Sequence, residues 1–150
     1  MRPCTFVARI ALLLALTPLA WPAELDLDYR LKIDKPETGV GYVTLTINGL
    51  DTKGFELARA KAAGETWFDG VKAVDGARNS LTVVPVDKGF YVTTQGGAKV
   101  VVTYAIKPGQ VRGEGHIGLI CADYAALDAS MIFLLPPADI KLKNVLFSVE

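Results

Sequence analysis

The feature that most limits the fold of this chain is a strict alternation of apolar and charged residues. Residues 25–33 read Leu-Asp-Leu-Asp-Tyr-Arg-Leu-Lys-Ile, with an apolar side chain at every odd position. Successive side chains of a strand point to opposite faces of a sheet, whereas a helix would scatter these apolar residues around its axis. We therefore predict a strand with one buried and one solvated face. Its buried face comprises Leu25, Leu27, Tyr29, Leu31 and Ile33.

Short strands of this kind recur along the chain. Val43, Leu45 and Ile47 alternate with threonines, and Asn48-Gly49 follows as a tight-turn signal. Further candidates are residues 71–74, 81–86, 90–94, 99–106, 116–122, 131–135 and 144–149. Pro85 has no backbone N–H, which predicts an edge or a bulge in its strand. The spacing is typical of an antiparallel β-sandwich, and we predict one such all-β domain over residues 24–150.

Two stretches of the sequence are compatible with either a helix or a strand. Residues 55–64 are rich in helix formers and end in Gly64, but Phe55 and Leu57 also suit a strand. Residues 122–129 are compatible with a single helical turn.

The first 23 residues have the pattern of a secretory signal peptide. Arg2 and Arg9 are its positive charges, residues 10–16 are an apolar run, and no acidic residue occurs before Glu24. A membrane helix needs about 20 apolar residues, and Pro18 breaks the run well before that length. We therefore predict that residues 1–23 are removed, that the domain is periplasmic or extracellular, and that it has no membrane association after cleavage.

Charge and residue counts exclude several classes of function. Without the two arginines of the signal peptide, 14 basic and 16 acidic side chains remain, so the net charge is −2. This balance argues against a nucleic-acid partner. Cys121 becomes the only cysteine, which excludes an intramolecular disulfide, and we expect it to be a buried small hydrophobic residue.

No catalytic constellation is visible in the sequence. His116 is the single histidine. In one strand His116 and Cys121 would point to opposite faces, so they would not converge with Asp123 on a metal. No Gly-x-Ser-x-Gly motif occurs. We therefore expect no catalytic residue, no metal site and no cofactor in this chain.

The most notable aromatic pair is Trp67 and Phe68, which precede Asp69-Gly70. Adjacent residues of a strand point to opposite faces, so one ring of such a pair is expected in the core. An exposed ring beside a turn suits a contact surface. We therefore name Trp67 and Phe68 as the candidate contact surface.

The order of these segments resembles a known family. The quoted segments are Tyr29-Arg-Leu-Lys-Ile, Val43-Thr-Leu-Thr-Ile-Asn-Gly-Leu, Val100-Val-Val-Thr-Tyr-Ala-Ile, Ala122-Asp-Tyr-Ala-Ala-Leu-Asp, Met131-Ile-Phe-Leu-Leu-Pro and Val145-Leu-Phe-Ser-Val. Together they are similar to the N-terminal β domain of exported zinc metallopeptidases of the glycyl aminopeptidase family. Members of that family carry zinc on an H-E-x-x-H helix in a separate, later domain, and no such motif occurs in these 150 residues. The proline-rich W-x-P-G-x-Y segment typical of their N-terminal domain is also missing.

The resemblance implies a non-catalytic accessory domain. Its partner would be a C-terminal catalytic domain of the same parent protein, or a peptide, and it would form one wall of a peptide cleft. The sequence stops at Glu150 within an apparent strand, so we expect it to be the front part of a longer protein. The alternative is a stand-alone exported β-sandwich that binds a ligand or partner, as adhesins, chaperones and carbohydrate-binding modules do.

The signal-peptide prediction is tested on secreted protein. We expect the mature chain to begin between residues 21 and 24, because small residues suited to cleavage, Ala20 and Ala23, follow the apolar run. N-terminal sequencing or intact-mass measurement gives the answer. A secreted form that retains Met1 would contradict the prediction.

Overall fold

The computed structural model describes residues 24–59, 68–107, 118–123, 125–136 and 140–150. The predicted signal peptide, residues 1–23, lies outside the described residues, and so does the start of the predicted strand at residue 116. Among the residues that are described, no helix is long and apolar enough to cross a membrane.

The described part of the chain is built almost entirely from strands, which confirms the all-β prediction. The strands are β1 (Leu25–Lys32), β2 (Gly41–Asn48), β3 (Gly54–Ala58), β4 (Phe68–Asp75), β5 (Ser80–Val86), β6 (Gly89–Thr93), β7 (Lys99–Ile106), β8 (Gly118–Ile120), β9 (Ala125–Leu127) and β10 (Leu142–Val149). A 3₁₀ turn covers Pro36–Thr38, and a short helix, α1, covers Ala129–Ile132. Residues 54–58 thus form a strand. The first four residues of the ambiguous stretch 55–64 are therefore extended and not helical.

Eight of these strands form one curled, mixed sheet in the order β10-β1-β2-β7-β4-β5-β6-β3, and β8 pairs with β9 separately. All described pairs in the large sheet are antiparallel except β1 with β10, which is parallel. The sequence predicts a mostly antiparallel β-sandwich, and a single described parallel pair agrees with that prediction. Alternation fixes which face a side chain occupies but not the direction of the neighbouring strand, so it could not show the parallel pair.

Pro85 lies where its missing N–H is tolerated. β5 pairs with β4 only through Ser80 and Leu81, whereas its pairing with β6 extends to Val86. Pro85 therefore lies in the part of β5 that has a single described neighbour, as predicted for an edge position.

The alternation in β1 predicts the core correctly. Leu25, Leu27, Tyr29 and Leu31 are each at most 3% exposed, and Ile33 packs against the same core while partly exposed. Because the sheet curls, apolar residues of β3 and β6 reach the core that β1, β2 and β7 face. The members contributed by these two strands are Phe55, Leu57 and Val92.

Two buried tyrosines form hydrogen bonds with the segment from Ile132 to Leu135, which crosses this core. The Tyr29 hydroxyl donates to the carbonyl oxygen of Leu134 at 2.7 Å. The Tyr104 hydroxyl donates to the carbonyl oxygen of Ile132 at 3.2 Å and accepts from the backbone N–H of Leu134 at 3.1 Å. Burial raises the pKa of both tyrosines above the ordinary range, so both hydroxyls stay protonated. Leu135 then exchanges two backbone hydrogen bonds with Ala58 of β3, at 2.7 and 2.8 Å.

Substitutions at two adjacent residues of β1 test whether the strand has one buried and one solvated face. Leu31→Asp places a carboxylate without a partner in the core and should lower the free energy of unfolding by several kcal/mol. Lys32→Asp should lower it far less, because it only exchanges an exposed ion pair with Asp34 for an exposed pair of like charges. Urea unfolding measures both changes, and equal effects would contradict the assignment of faces.

Candidate interaction surface

The exposed apolar residues of the described chain concentrate on β10. All eight positions of this strand are exposed. Its large apolar side chains have exposed fractions from 38% to 71%; they are Leu142, Val145, Leu146, Phe147 and Val149. β10 is the last strand of the large sheet and pairs on one side with β1. A strand that exposes this much apolar surface is typical of an interaction surface.

The register of β10 explains why these side chains are apolar. Val145, Phe147 and Val149 lie opposite Leu27, Tyr29 and Leu31 of β1, whose side chains form the core. The pairing continues beyond the strand, since the backbone N–H of Glu150 donates to Leu31 and the N–H of Ile33 donates to Glu150. The apolar face of the sheet thus continues from β1 onto β10, where its side chains are more exposed.

Phe147 lies at the boundary between the covered and uncovered parts of this face. Its ring stacks on that of Tyr29, with centroids 5.2 Å apart and planes 11° apart. Its centroid is also 5.2 Å from that of Phe133. The ring is nevertheless 57% exposed. One side of Phe147 therefore belongs to the core, and the other side is open to a partner.

Next to Phe147 the surface forms an open apolar groove of about 330 Å³, which we call the β10 groove. It lies between the end of β1, the β9–α1 segment and β10. Its lining consists of Leu31, Ile33, Ala125, Leu127, Ala129, Ile132, Phe133, Phe147 and Val149. Every one of these side chains is apolar, so the groove can accept apolar side chains but offers no acid, base or metal ligand.

Exposed ion pairs lie near both ends of β10, outside the lining of the groove. Lys32 and Asp34, which flank Ile33 in sequence, form an exposed ion pair at 3.0 Å. At the opposite end of β10, Lys141 pairs with Glu24, and this pairing lowers the pKa of the Glu24 carboxyl.

The candidate contact surface from the sequence is only partly described. Phe68 begins β4 with its side chain toward the core, 8% exposed, and its ring centroid lies 5.7 Å from that of Tyr104. It is therefore a packing residue and not an exposed contact. Trp67 lies outside the described residues, so the contact role of its ring stays a prediction.

The residues weighed for chemistry do not form a described site. His116 lies outside the described residues. Cys121 is half-buried, less than predicted, and Asp123 is exposed. Within the described ranges, no group of three or more His, Cys, Asp and Glu side chains is placed to hold a metal ion.

Sequence reasoning missed the β10 groove. The available signal was the run Val145-Leu-Phe, in which neighbouring positions on both faces of the strand are apolar. A strand at a solvated edge normally alternates. Departure from alternation therefore indicates a strand that has apolar neighbours on more than one side.

The fold is similar to that of a solved protein. The crystal structure of an aminopeptidase N family protein from Idiomarina loihiensis matches with a TM-score of 0.56 and 13% sequence identity. The match covers 79% of this chain and 22% of that chain, so this protein corresponds to about a fifth of its neighbour's length. No protein-family model and no curated protein matches this sequence. At this identity the likeness concerns the fold alone.

Proposed function

We propose that this chain is a non-catalytic accessory β domain of a peptidase-like protein. In this proposal it packs against a separate catalytic domain through the β10 groove and forms one wall of a peptide cleft. The observation that carries the proposal is the apolar core face of the sheet, which continues onto β10 as Val145, Phe147 and Val149 and stays exposed there.

The chemistry of the groove supports a packing role. An exposed apolar strand costs solubility and invites pairing, so a folded protein normally covers it. Burial stabilises by roughly 25 cal/mol for each Å² of apolar surface removed from water. The Phe147 ring is already fixed by Tyr29 and Phe133 on one side, so a partner that covers its other side orders few additional side chains.

The choice of occupant rests on the structural neighbour. The similar fold in the aminopeptidase N family protein makes up 22% of a much longer chain. A domain in that setting has other parts of the same polypeptide available to pack against it. We therefore assign the β10 groove to a following catalytic domain rather than to an unrelated partner.

The test begins with the coding sequence beyond codon 150. We expect an open frame that encodes a domain with an H-E-x-x-H motif, and we expect that domain, expressed separately, to bind the purified mature chain. Val149→Asp places a carboxylate in the apolar groove and should weaken this binding by roughly tenfold or more. Isothermal titration calorimetry measures the affinity.

The matched control is Val84→Asp, which makes the same change at an exposed valine of β5 outside the groove and should leave binding unchanged. The mature chain alone should bind no stoichiometric zinc and cleave no aminoacyl or peptide substrate. A stop codon directly after residue 150, or turnover by the mature chain that disappears in His116→Ala, would contradict the proposal. Equal affinities of Val149→Asp and wild type would contradict the assigned surface.

A further inference from the structure

A second depression lies on the opposite, outward face of the large sheet. It has a volume of about 390 Å³ and crosses three neighbouring strands, β2, β7 and β4. We call it the Tyr42 depression, after its most prominent side chain, which is 53% exposed. Its lining is polar as well as aromatic, in contrast to the β10 groove, and it shares no residue with that groove.

The register of the strands sets the shape of this depression. Tyr42 lies opposite Ala105, and Ala105 lies opposite Asp69 on its other side. Neighbouring strands are about 4.8 Å apart, so the backbones that carry Tyr42 and Asp69 are separated by roughly 10 Å. The methyl side chain of Ala105 leaves the space between them open. An aromatic side chain and a carboxylate thus flank the short Ala105 side chain on the outward face of the sheet.

A second row of side chains continues the floor. Thr44 lies opposite Thr103, and Thr103 lies opposite Lys72. This row sets two hydroxyl groups and one ammonium group beside that open space. Each of these groups forms hydrogen bonds, the hydroxyls as donors and acceptors and the ammonium as a donor.

A bulge in β4 opens the third side. The pairing of β4 with β7 shifts register between Asp69 and Lys72, and Gly70 within it has a φ of +61°. A side chain at Gly70 would meet no atom within 4 Å, so the space above the bulge is empty. Bulges of this kind change the direction of neighbouring side chains and are frequent next to binding sites.

The charges in the depression favour an uncharged ligand. The Asp69 carboxylate forms an ion pair with Lys107 at 3.5 Å, and both side chains are more than half exposed. The lining itself contains one acid and one base, Asp69 and Lys72. A ligand with a net charge would gain attraction from one of these groups and repulsion from the other, whereas hydroxyl groups can bond to both.

From this arrangement we infer that the Tyr42 depression binds a pyranose unit of a neutral saccharide. The C–H face of the sugar packs on the Tyr42 ring. The Asp69 carboxylate accepts hydrogen bonds from sugar hydroxyls, and Lys72, Thr44 and Thr103 bond the remaining ones. The site is independent of the proposed accessory role, because it lies on the other face of the sheet.

Calorimetric titration of the purified mature chain with cellohexaose, hexa-N-acetylchitohexaose and maltohexaose tests this inference. We expect saturable binding of at least one hexasaccharide, with a Kd on the order of 0.1–1 mM. Tyr42→Ala should weaken binding roughly tenfold, whereas Tyr42→Phe should retain it because the ring makes the contact. Asp69→Asn should also weaken binding, since the amide is a poorer acceptor than the carboxylate.

The control is Tyr91→Ala, which removes an exposed tyrosine of β6 outside the depression and should leave the affinity unchanged. Circular dichroism and thermal unfolding verify that each variant is folded. Absence of saturable binding to all three hexasaccharides at about 10 mM overturns the inference. It is also overturned if Tyr42→Ala binds as tightly as wild type, or if Tyr91→Ala loses affinity to the same extent.

Discussion

The hydrogen bonds between the hydroxyls of Tyr29 and Tyr104 and the backbone of residues 132–134 hold this segment across the core of the curled sheet. A curled sheet has an open side, and here the segment from Ile132 to Leu135 crosses it. The tyrosine hydroxyls satisfy three backbone groups of that segment inside the core, where an unpaired polar group would cost about 1–3 kcal/mol. Leu135 then joins β3 through Ala58. Strands far apart in the sheet order, β1, β7 and β3, are thereby connected through one short segment.

The same segment affects which apolar surface of the sheet stays exposed. It covers the core face over β1 and reaches β10 through Phe133, which packs on Phe147. Much of the strip of Val145, Phe147 and Val149 stays exposed, and the groove lies beside it. On the outward face, a small residue on β7 and a bulge in β4 leave a polar depression. The two surfaces differ in chemistry, one wholly apolar and one rich in hydroxyl and charged groups, and they fit partners of different kinds.

Local sequence patterns predict much of the fold, but they do not predict the candidate interaction surfaces. Alternation identified the core residues of β1 and β2 because a strand's two faces are encoded in neighbouring positions. The parallel partner of β1 lies more than 100 residues away in the sequence, and no local pattern encodes that pairing. For the same reason the sequence does not predict the Tyr42 depression. Tyr42, Ala105 and Asp69 become neighbours only through the pairing of β2, β7 and β4. The Trp67–Phe68 pair was noticed for its composition, yet Phe68 packs in the core.

The central claim, that tyrosine hydroxyls hold the covering segment in place, is tested most directly by urea unfolding of Tyr104→Phe. This change keeps the ring but leaves the backbone N–H of Leu134 buried without its acceptor. The free energy of unfolding should fall by about 1–3 kcal/mol. Tyr42→Phe removes the hydroxyl of an exposed tyrosine in the same sheet and should change it by no more than about 0.5 kcal/mol. Equal stabilities of the two variants would contradict the account.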